Sequence, residues 1–451
     1  MADDALYAAE RDCLWHPFTQ MREWSGQRPV IIDRARGCTL IDVDGREYLD
    51  GVSSLWCNVH GHNHPQINAA IRVQLEKVAH STLLGLGSAP AAAFAQELID
   101  VAPADLTRVF YSDSGSTAVE VALKMAYQYW RQEASGSHRG RRRFVCLTNA
   151  YHGDTVGAVS VGGIELFHKI FSPLLFEAYH APSPFCYRCP LGLQRETCEM
   201  ECFDELATVA ERHAEEVAAI IVEPLVQGAA GIITAPEGYL RRVRELCDRL
   251  GILLIVDEVA TGFGRTGTLF ACEQEGVCPD LMALAKGISG GYLPLAATLT
   301  TERVYEAFLG EYQDLRTFFH GHTYTGNALA CAAASASLRL FSTDDVLNRL
   351  PAKISRLADG LEPIATHPHV GEVRRRGMMV GIELVADRTS REPFPWHERR
   401  GVQVCNRAIA NGLFIRPLGD VIVIMPPLAI SLAEIERLTA IVAESLAEVL
   451  R

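Results

Sequence analysis

The chain has 451 residues, 48% hydrophobic and 22% charged, with a formal net charge of −13. That length supports two domains, or one large domain with a satellite, and the acidic balance speaks against nucleic acid or a basic membrane-binding face. The acidic start MADDALYAAERD lacks the apolar stretch of a secretory signal and no uninterrupted apolar run reaches spanning length, so a cytoplasmic protein with mostly reduced thiols among its 13 cysteines is expected.

Residues 11–24, RDCLWHPFTQMREW, read as a packed N-terminal arm in which Pro17 blocks helix continuation. In GCTLIDVDGREYLD, Asp44-Gly45 predicts a tight turn between two strands. In SSLWCNVHGHNHP, His60, His62 and His64 alternate with no acid or cysteine at a fitting spacing. A loop bordering a pocket is expected there, not a metal site. Helical periodicity covers 65–80 and 90–101. The stretch VFYSDSGSTAVEVALKMA then ends a strand at 109–111 and opens a helix. Ser112 and Asp113 are candidate caps, with Gly115, Ser116 and Thr117 in the first turn. Free N–H groups and the dipole there favour an anion, although a plain helix cap has the same look.

The basic run SHRGRRR at 137–143 reads as a solvated loop. Strands are expected at 144–148 and 218–223, the second ending in Glu223-Pro224. Tyr151 follows the first, before a histidine and a glycine turn, where an aromatic ring is suited to cover a flat ligand. A basic amphipathic helix at 238–250 leads into GILLIVDEVATGFGRTG. There a short apolar run ends at the acid pair Asp257 and Glu258. A second run, 281–285, stops at Lys286 beside glycines. An acid at one strand end and a lysine just past another are what a buried Schiff-base site needs. The alternation of strand, turn and helix predicts an α/β fold with a mainly parallel sheet, binding ligand at its carboxyl edge. Beyond 320 a Gly/Thr loop enters an alanine-rich helix. Helix 343–368, a strand after Arg374, Arg375 and Arg376, two short strands flanking Arg416 and a last helix near Ser431 suggest a second, smaller domain.

FCYRCPLGLQRETCEMEC carries Cys186, Cys189, Cys198 and Cys202 as C-x2-C and C-x3-C. Both spacings suit tetrahedral zinc, while the gap between the pairs is shorter than in a usual zinc ribbon. Reduced thiols in an insertion loop are the simpler reading, and no metal is assigned to the catalytic site.

Taken together, IVDEVATGFGRTG through ALAKGISGG, with LWHPFTQM, DGVSSLWCNVHGHNHP, DSGSTAVEVALKMA, YHGDTVGAVSVGG and FIRPLGDVIVIMPP, resemble the class III pyridoxal-phosphate aminotransferases over essentially the whole chain. Within them the chain is similar to the 8-amino-7-oxononanoate aminotransferases of biotin synthesis. The resemblance implies a fold type I PLP-dependent transferase. Its large domain (65–335) holds the sheet, and a smaller α+β domain is built from both chain ends (1–64 and 336–451). It implies pyridoxal 5'-phosphate as cofactor and a homodimer with shared active sites. Lys286 matches the lysine that bonds to the coenzyme. Burial must keep its amine neutral, and once freed it carries the proton. Asp257 matches the partner of the ring nitrogen, Tyr151 the stacked aromatic, and Gly115 with Ser116 the phosphate cradle. Thr323 matches a hydroxyl offered by the neighbouring subunit. Arg416 matches the clamp on the substrate carboxylate. Phe18, Leu55, Trp56 and Gly321, with Tyr151 and Lys286, complete the implied substrate wall.

Three positions depart from the pattern of many relatives that use S-adenosylmethionine as donor. Here Phe18 lacks a tyrosine hydroxyl, Leu55 replaces a tryptophan and His322 a proline. Losing an aromatic face weakens the attraction for a sulfonium. L-lysine and S-adenosylmethionine therefore both stand as expected donors. A different class III enzyme acting on ω-amino acids, ornithine or polyamines, or a non-catalytic member, are the competing readings.

Overall fold

The computed structural model describes residues 4–134 and 136–450. Its centre is a seven-stranded sheet. In spatial order the strands are Leu106–Ser112, Ala296–Thr301, Leu281–Leu284, Leu253–Asp257, Val217–Val222, Arg143–Leu147 and Tyr179–Ala181. Ala296–Thr301 runs antiparallel to both neighbours, and the other adjacent pairs are parallel. Strands Val217–Val222, Leu253–Asp257 and Leu281–Leu284 are buried at every position. That is why they read as continuous apolar runs: helices cover both faces, so no residue alternates to water. Helix Tyr239–Leu250 buries Tyr239, Leu240, Val243, Leu246 and Cys247, a single stripe at helical spacing. Gly251 then ends it with φ 61°, the left-handed turn that glycine adopts without steric cost.

The two chain ends meet. Thr39–Asp42 and Glu47–Asp50 form the hairpin expected around Asp44-Gly45, and Leu413–Phe414 adds to it in parallel. A separate antiparallel sheet orders Val370–Arg376, Met379–Leu384, Val421–Ile424 and Arg416–Leu418. Helices Val346–Ala365, Arg400–Ala410 and Leu432–Val449 pack together beside it. Ser431 caps the last through its hydroxyl, which accepts from Glu434 N. No helix among the described residues is long and apolar enough to cross a membrane.

Several expectations are refined. Within one chain the N-terminal arm is not buried: helix Asp4–Cys13 buries no residue and Trp15 is 89% exposed, while Phe18 meets only the ring edge of Phe167 among the described aromatic rings. Arg374, Arg375 and Arg376 precede strand Met379–Leu384 as expected, and they also end a strand of their own, Val370–Arg376. The histidine loop also finds an acid just outside it, since His62 Nε2 stands 2.8 Å from Asp50 Oδ2 at the end of the preceding strand.

Candidate active site

The carboxyl ends of the central strands open onto a cavity of about 410 Å³. Six of the residues singled out in the sequence line it: Trp56, Gly115, Ser116, Tyr151, Asp257 and Lys286. All but Trp56, which ends the short irregular helix Ser53–Trp56, follow a strand end or open a helix, which is where such sheets bind ligands. Helix Gly115–Gln132 points its N-terminus into the space. Its cap is Ser114, not Ser112 or Asp113, because Ser114 is extended and forms a reciprocal capping box with Thr117. The backbone here is crowded. A Cβ on Gly115 would stand 2.5 Å from Val259 Cγ1, and one on Gly153 would stand 2.0 Å from Ser116 Oγ. Side chains are thereby kept off the floor where the helix N–H groups face the cavity.

Lys286 follows strand Leu281–Leu284 with φ 47°, a left-handed backbone that a non-glycine residue adopts at a cost of order 1–3 kcal/mol. Its Nζ lies 4.8 Å from the Trp56 ring centroid. The side chain is packed by protein except where it meets the cavity. Burial lowers the amine's pKa, and the carboxylates of Asp257 and Glu223 oppose that shift without reversing it. Burial thus favours the neutral, nucleophilic form of the amine.

The acid pair at the strand end divides by the two-residue period of the strand. Asp257 faces the cavity. Its Oδ2 lies 2.7 Å from His152 Nδ1, and its Oδ1 accepts from Val259 N at 3.0 Å. Glu258 turns away into the core. There it accepts from Thr261 Oγ1 at 2.5 Å and Cys272 N at 2.8 Å, and burial raises its pKa to about 7. Only one acid of the pair is available to a ligand.

Two lining residues were assigned no role from sequence. His152 is buried against Asp257, and Glu223 accepts from Tyr151 N at 3.1 Å and Gly228 N at 2.8 Å. Burial raises the Glu223 pKa to about 7. Both stand directly beside residues that were singled out. The available signal was position, a polar side chain at a strand end, and their direction needed the fold. Arg265 of the GFGRTG run is the largest fully buried side chain. It donates to Ser53 Oγ at 3.0 Å, Pro426 O at 2.8 Å and Asn58 O at 2.7 Å. It pins the loop that carries Trp56.

The rest of the implied substrate wall does not line this cavity within one chain. Phe18 is 64% and Leu55 53% exposed. Phe18 packs its ring edge on Phe167, which in turn touches Tyr151. Gly321, Thr323 and Arg416 are exposed. His322 stands 2.8 Å from Asp113 at the cavity rim, while Thr323 beside it turns outward.

Comparison with known proteins bears on the family. The model of the class-III aminotransferases matches residues 20–446. The adenosylmethionine-8-amino-7-oxononanoate aminotransferase of Nitratidesulfovibrio vulgaris is 60% identical over 94% of this chain and 78% of its own length. That of Geobacter sulfurreducens is 56% identical over 95% and 94%. The crystal structure of the Methanocaldococcus jannaschii protein of that name superposes with a TM-score of 0.94 at 45% identity, covering 99% of this chain and all of the other. An amine transaminase from an uncultivated Pseudomonas species, solved with PLP bound, gives 0.92 at 37% identity, covering 97% of this chain and 99% of its own. The chain therefore belongs to the class-III aminotransferase family.

Proposed function

We propose that the protein is a pyridoxal-phosphate aminotransferase that converts 8-amino-7-oxononanoate to 7,8-diaminononanoate in biotin synthesis. The observation that carries it is the convergence of Lys286, Asp257, Tyr151 and the Gly115–Ser116 helix start on one cavity. The donor set fits the coenzyme: a neutral amine for its aldehyde, a carboxylate for its ring nitrogen, an aromatic face and an anion-binding helix end. Asp257 would hold the ring nitrogen, Tyr151 the ring face, Gly115 and Ser116 the phosphate, and Lys286 the aldehyde carbon. When bound, pyridoxal 5'-phosphate supplies an electron sink for the amine carbon of the substrate.

The chain's own residues do the rest. Lys286, whose neutral form burial favours, takes a proton and returns it within the cavity. His152 holds Asp257 from behind, so the carboxylate keeps one orientation. Trp56, fixed through the Arg265 contacts, walls Lys286 against water. Arg416 binds the carboxylate of the oxononanoate, and Phe18, Leu55 and Gly321 border its chain.

The active unit is a cytoplasmic homodimer in which Thr323 reaches the partner's phosphate site. Its exposure outside its own chain's cavity supports that, as does the uncovered aromatic set of Trp15, Phe18, Phe319 and Tyr324. The 1–64, 65–335 and 336–451 division follows the same reading, with strand Leu413–Phe414 joining both chain ends.

S-adenosylmethionine is the donor proposed, following the relatives' names. L-lysine is the second reading, favoured by Phe18 and Leu55 where a hydroxyl and a larger aromatic face would stand. The purified protein is given 8-amino-7-oxononanoate with each donor in turn, and diaminononanoate is measured by mass spectrometry. Product with adenosylmethionine alone is expected. Product with lysine alone reassigns the donor. No product with either, but turnover of simple ω-amines, overturns the substrate assignment.

A further inference from the structure

The cysteine loop lies away from the catalytic cavity, and the reaction makes no use of it. Its four cysteines come from two separated pairs, yet the fold brings them to one place. Cys186, Cys189, Cys198 and Cys202 all line a single cavity of about 20 Å³, close to the room that one water or one ion needs. Cys202 lies within electrostatic range of the other three. Beside the cysteines the wall is Pro184, Phe185, Leu191, Leu193 and Pro236 with the polar Ser183, Gln194 and Arg195, and it holds no carboxylate or histidine. Four sulfur donors without carboxylate or imidazole ligands select a soft, tetrahedral ion.

The loop is also fastened at both ends. Cys202 sits in the first turn of helix Glu201–Arg212 of the sheet domain. The Cys186–Cys189 end is held on the other sheet. Arg188 pairs with Glu383 and donates to Arg391 O at 3.0 Å, and Arg391 donates to Tyr187 O. Arg374, paired with the same Glu383, lies 5.0 Å from the Phe185 ring centroid and donates to Gly231 O at 2.8 Å.

We infer that Cys186, Cys189, Cys198 and Cys202 form a structural zinc site that closes this loop and ties helix Glu201–Arg212 to the sheet carrying Glu383. The thiols are free, and no group of three or more His, Cys, Asp or Glu among the described residues already stands at ligating separation. Zinc therefore draws the sulfurs inward, to about 2.3 Å from the ion, and each thiol that becomes a ligand gives up its proton to solvent.

The test uses the full-length protein purified without chelator. Elemental analysis should find about one zinc per chain, and Cys186→Ser with Cys189→Ser should remove it. Less than about a tenth of a zinc per chain, with no zinc taken up on reconstitution, overturns the proposal. So does zinc retained by the double variant. Should that variant not fold, Co²⁺ exchanged into the wild-type protein decides. A thiolate-to-cobalt charge-transfer band with tetrahedral d–d absorbance is expected, and its absence overturns the site. Thiol alkylation adds an independent readout: the four cysteines should resist it in the zinc-loaded protein and react after chelation. Equal reactivity in both states counts against it.

Discussion

The catalytic cavity and the outer substrate wall are built on different terms. Lys286, Asp257, Tyr151, His152 and Glu223 stand at strand ends of one rigid sheet, and one chain suffices to bring them together. Phe18, Leu55, Gly321, Thr323 and Arg416 come from the two chain ends and a surface loop, and within one chain they lie exposed. The difference teaches where each property resides. Groups that must be desolvated to react are placed by the core, where burial lowers the pKa of the lysine. The residues proposed to choose the substrate sit on segments exposed within one chain, and in the proposed dimer the second subunit completes them.

The largest expected effect tests the inner region. Lys286→Ala should lower turnover by more than about 10⁴-fold and abolish the absorbance of lysine-bound coenzyme. Near-normal turnover by that variant would break the comparison at its root. Asp257→Asn should retain coenzyme and lose about 10²–10³-fold in kcat, measured by single-turnover kinetics.

On the outer wall, Arg416→Ala should raise KM for the oxononanoate by about 10–100-fold while leaving kcat within a few-fold. An equal loss in kcat would make Arg416 part of the inner machinery. Thr323→Ala should weaken coenzyme binding by about 10-fold in a titration of the apoprotein. Mixed dimers of Lys286→Ala with Thr323→Ala sharpen this. If Thr323 serves the partner, the one lysine-bearing site of the hybrid is intact and binds coenzyme as the wild type does. If it serves its own chain, that site stays weakened.

The smallest effect concerns stability, not turnover. Glu258 has a folded pKa of about 7 against an ordinary 4.5, so between these values the folded state binds more protons than the unfolded one. Its contribution is full below pH 4.5 and is lost as pH rises through 7. Glu258→Gln should flatten that decline, worth on the order of a few kcal/mol, in thermal unfolding of the apoprotein from pH 4.5 to 8. An unchanged slope would show that this buried acid does not set it.

Much of the fold was legible because its signals are local. Continuous apolar runs marked buried parallel strands, Asp44-Gly45 marked a hairpin, and a last helix was legible near Ser431. Lys286 and Asp257 were legible for the same reason: a polar residue that ends an apolar run lies at a sheet edge. Ser114 as the true cap was not, because four adjacent polar residues compete there and backbone geometry chooses among them. The N-terminal arm shows the limit of such signals, because aromatic residues signal packing but not the partner they pack on, and within one chain Trp15 stays exposed.

By itself the sequence determined the chemistry: strand-end residues, a cradle-forming helix start and motifs specific enough to indicate the family. Tertiary structure alone decided the rest. It turned Asp257 in and Glu258 out, and it set His152 behind the carboxylate. It packed Lys286 so that burial lowers its pKa, and it brought four cysteines from two pairs to one cavity. The physical reason is common to these cases. Direction and burial depend on contacts between residues far apart in the chain, and local propensity carries no record of them.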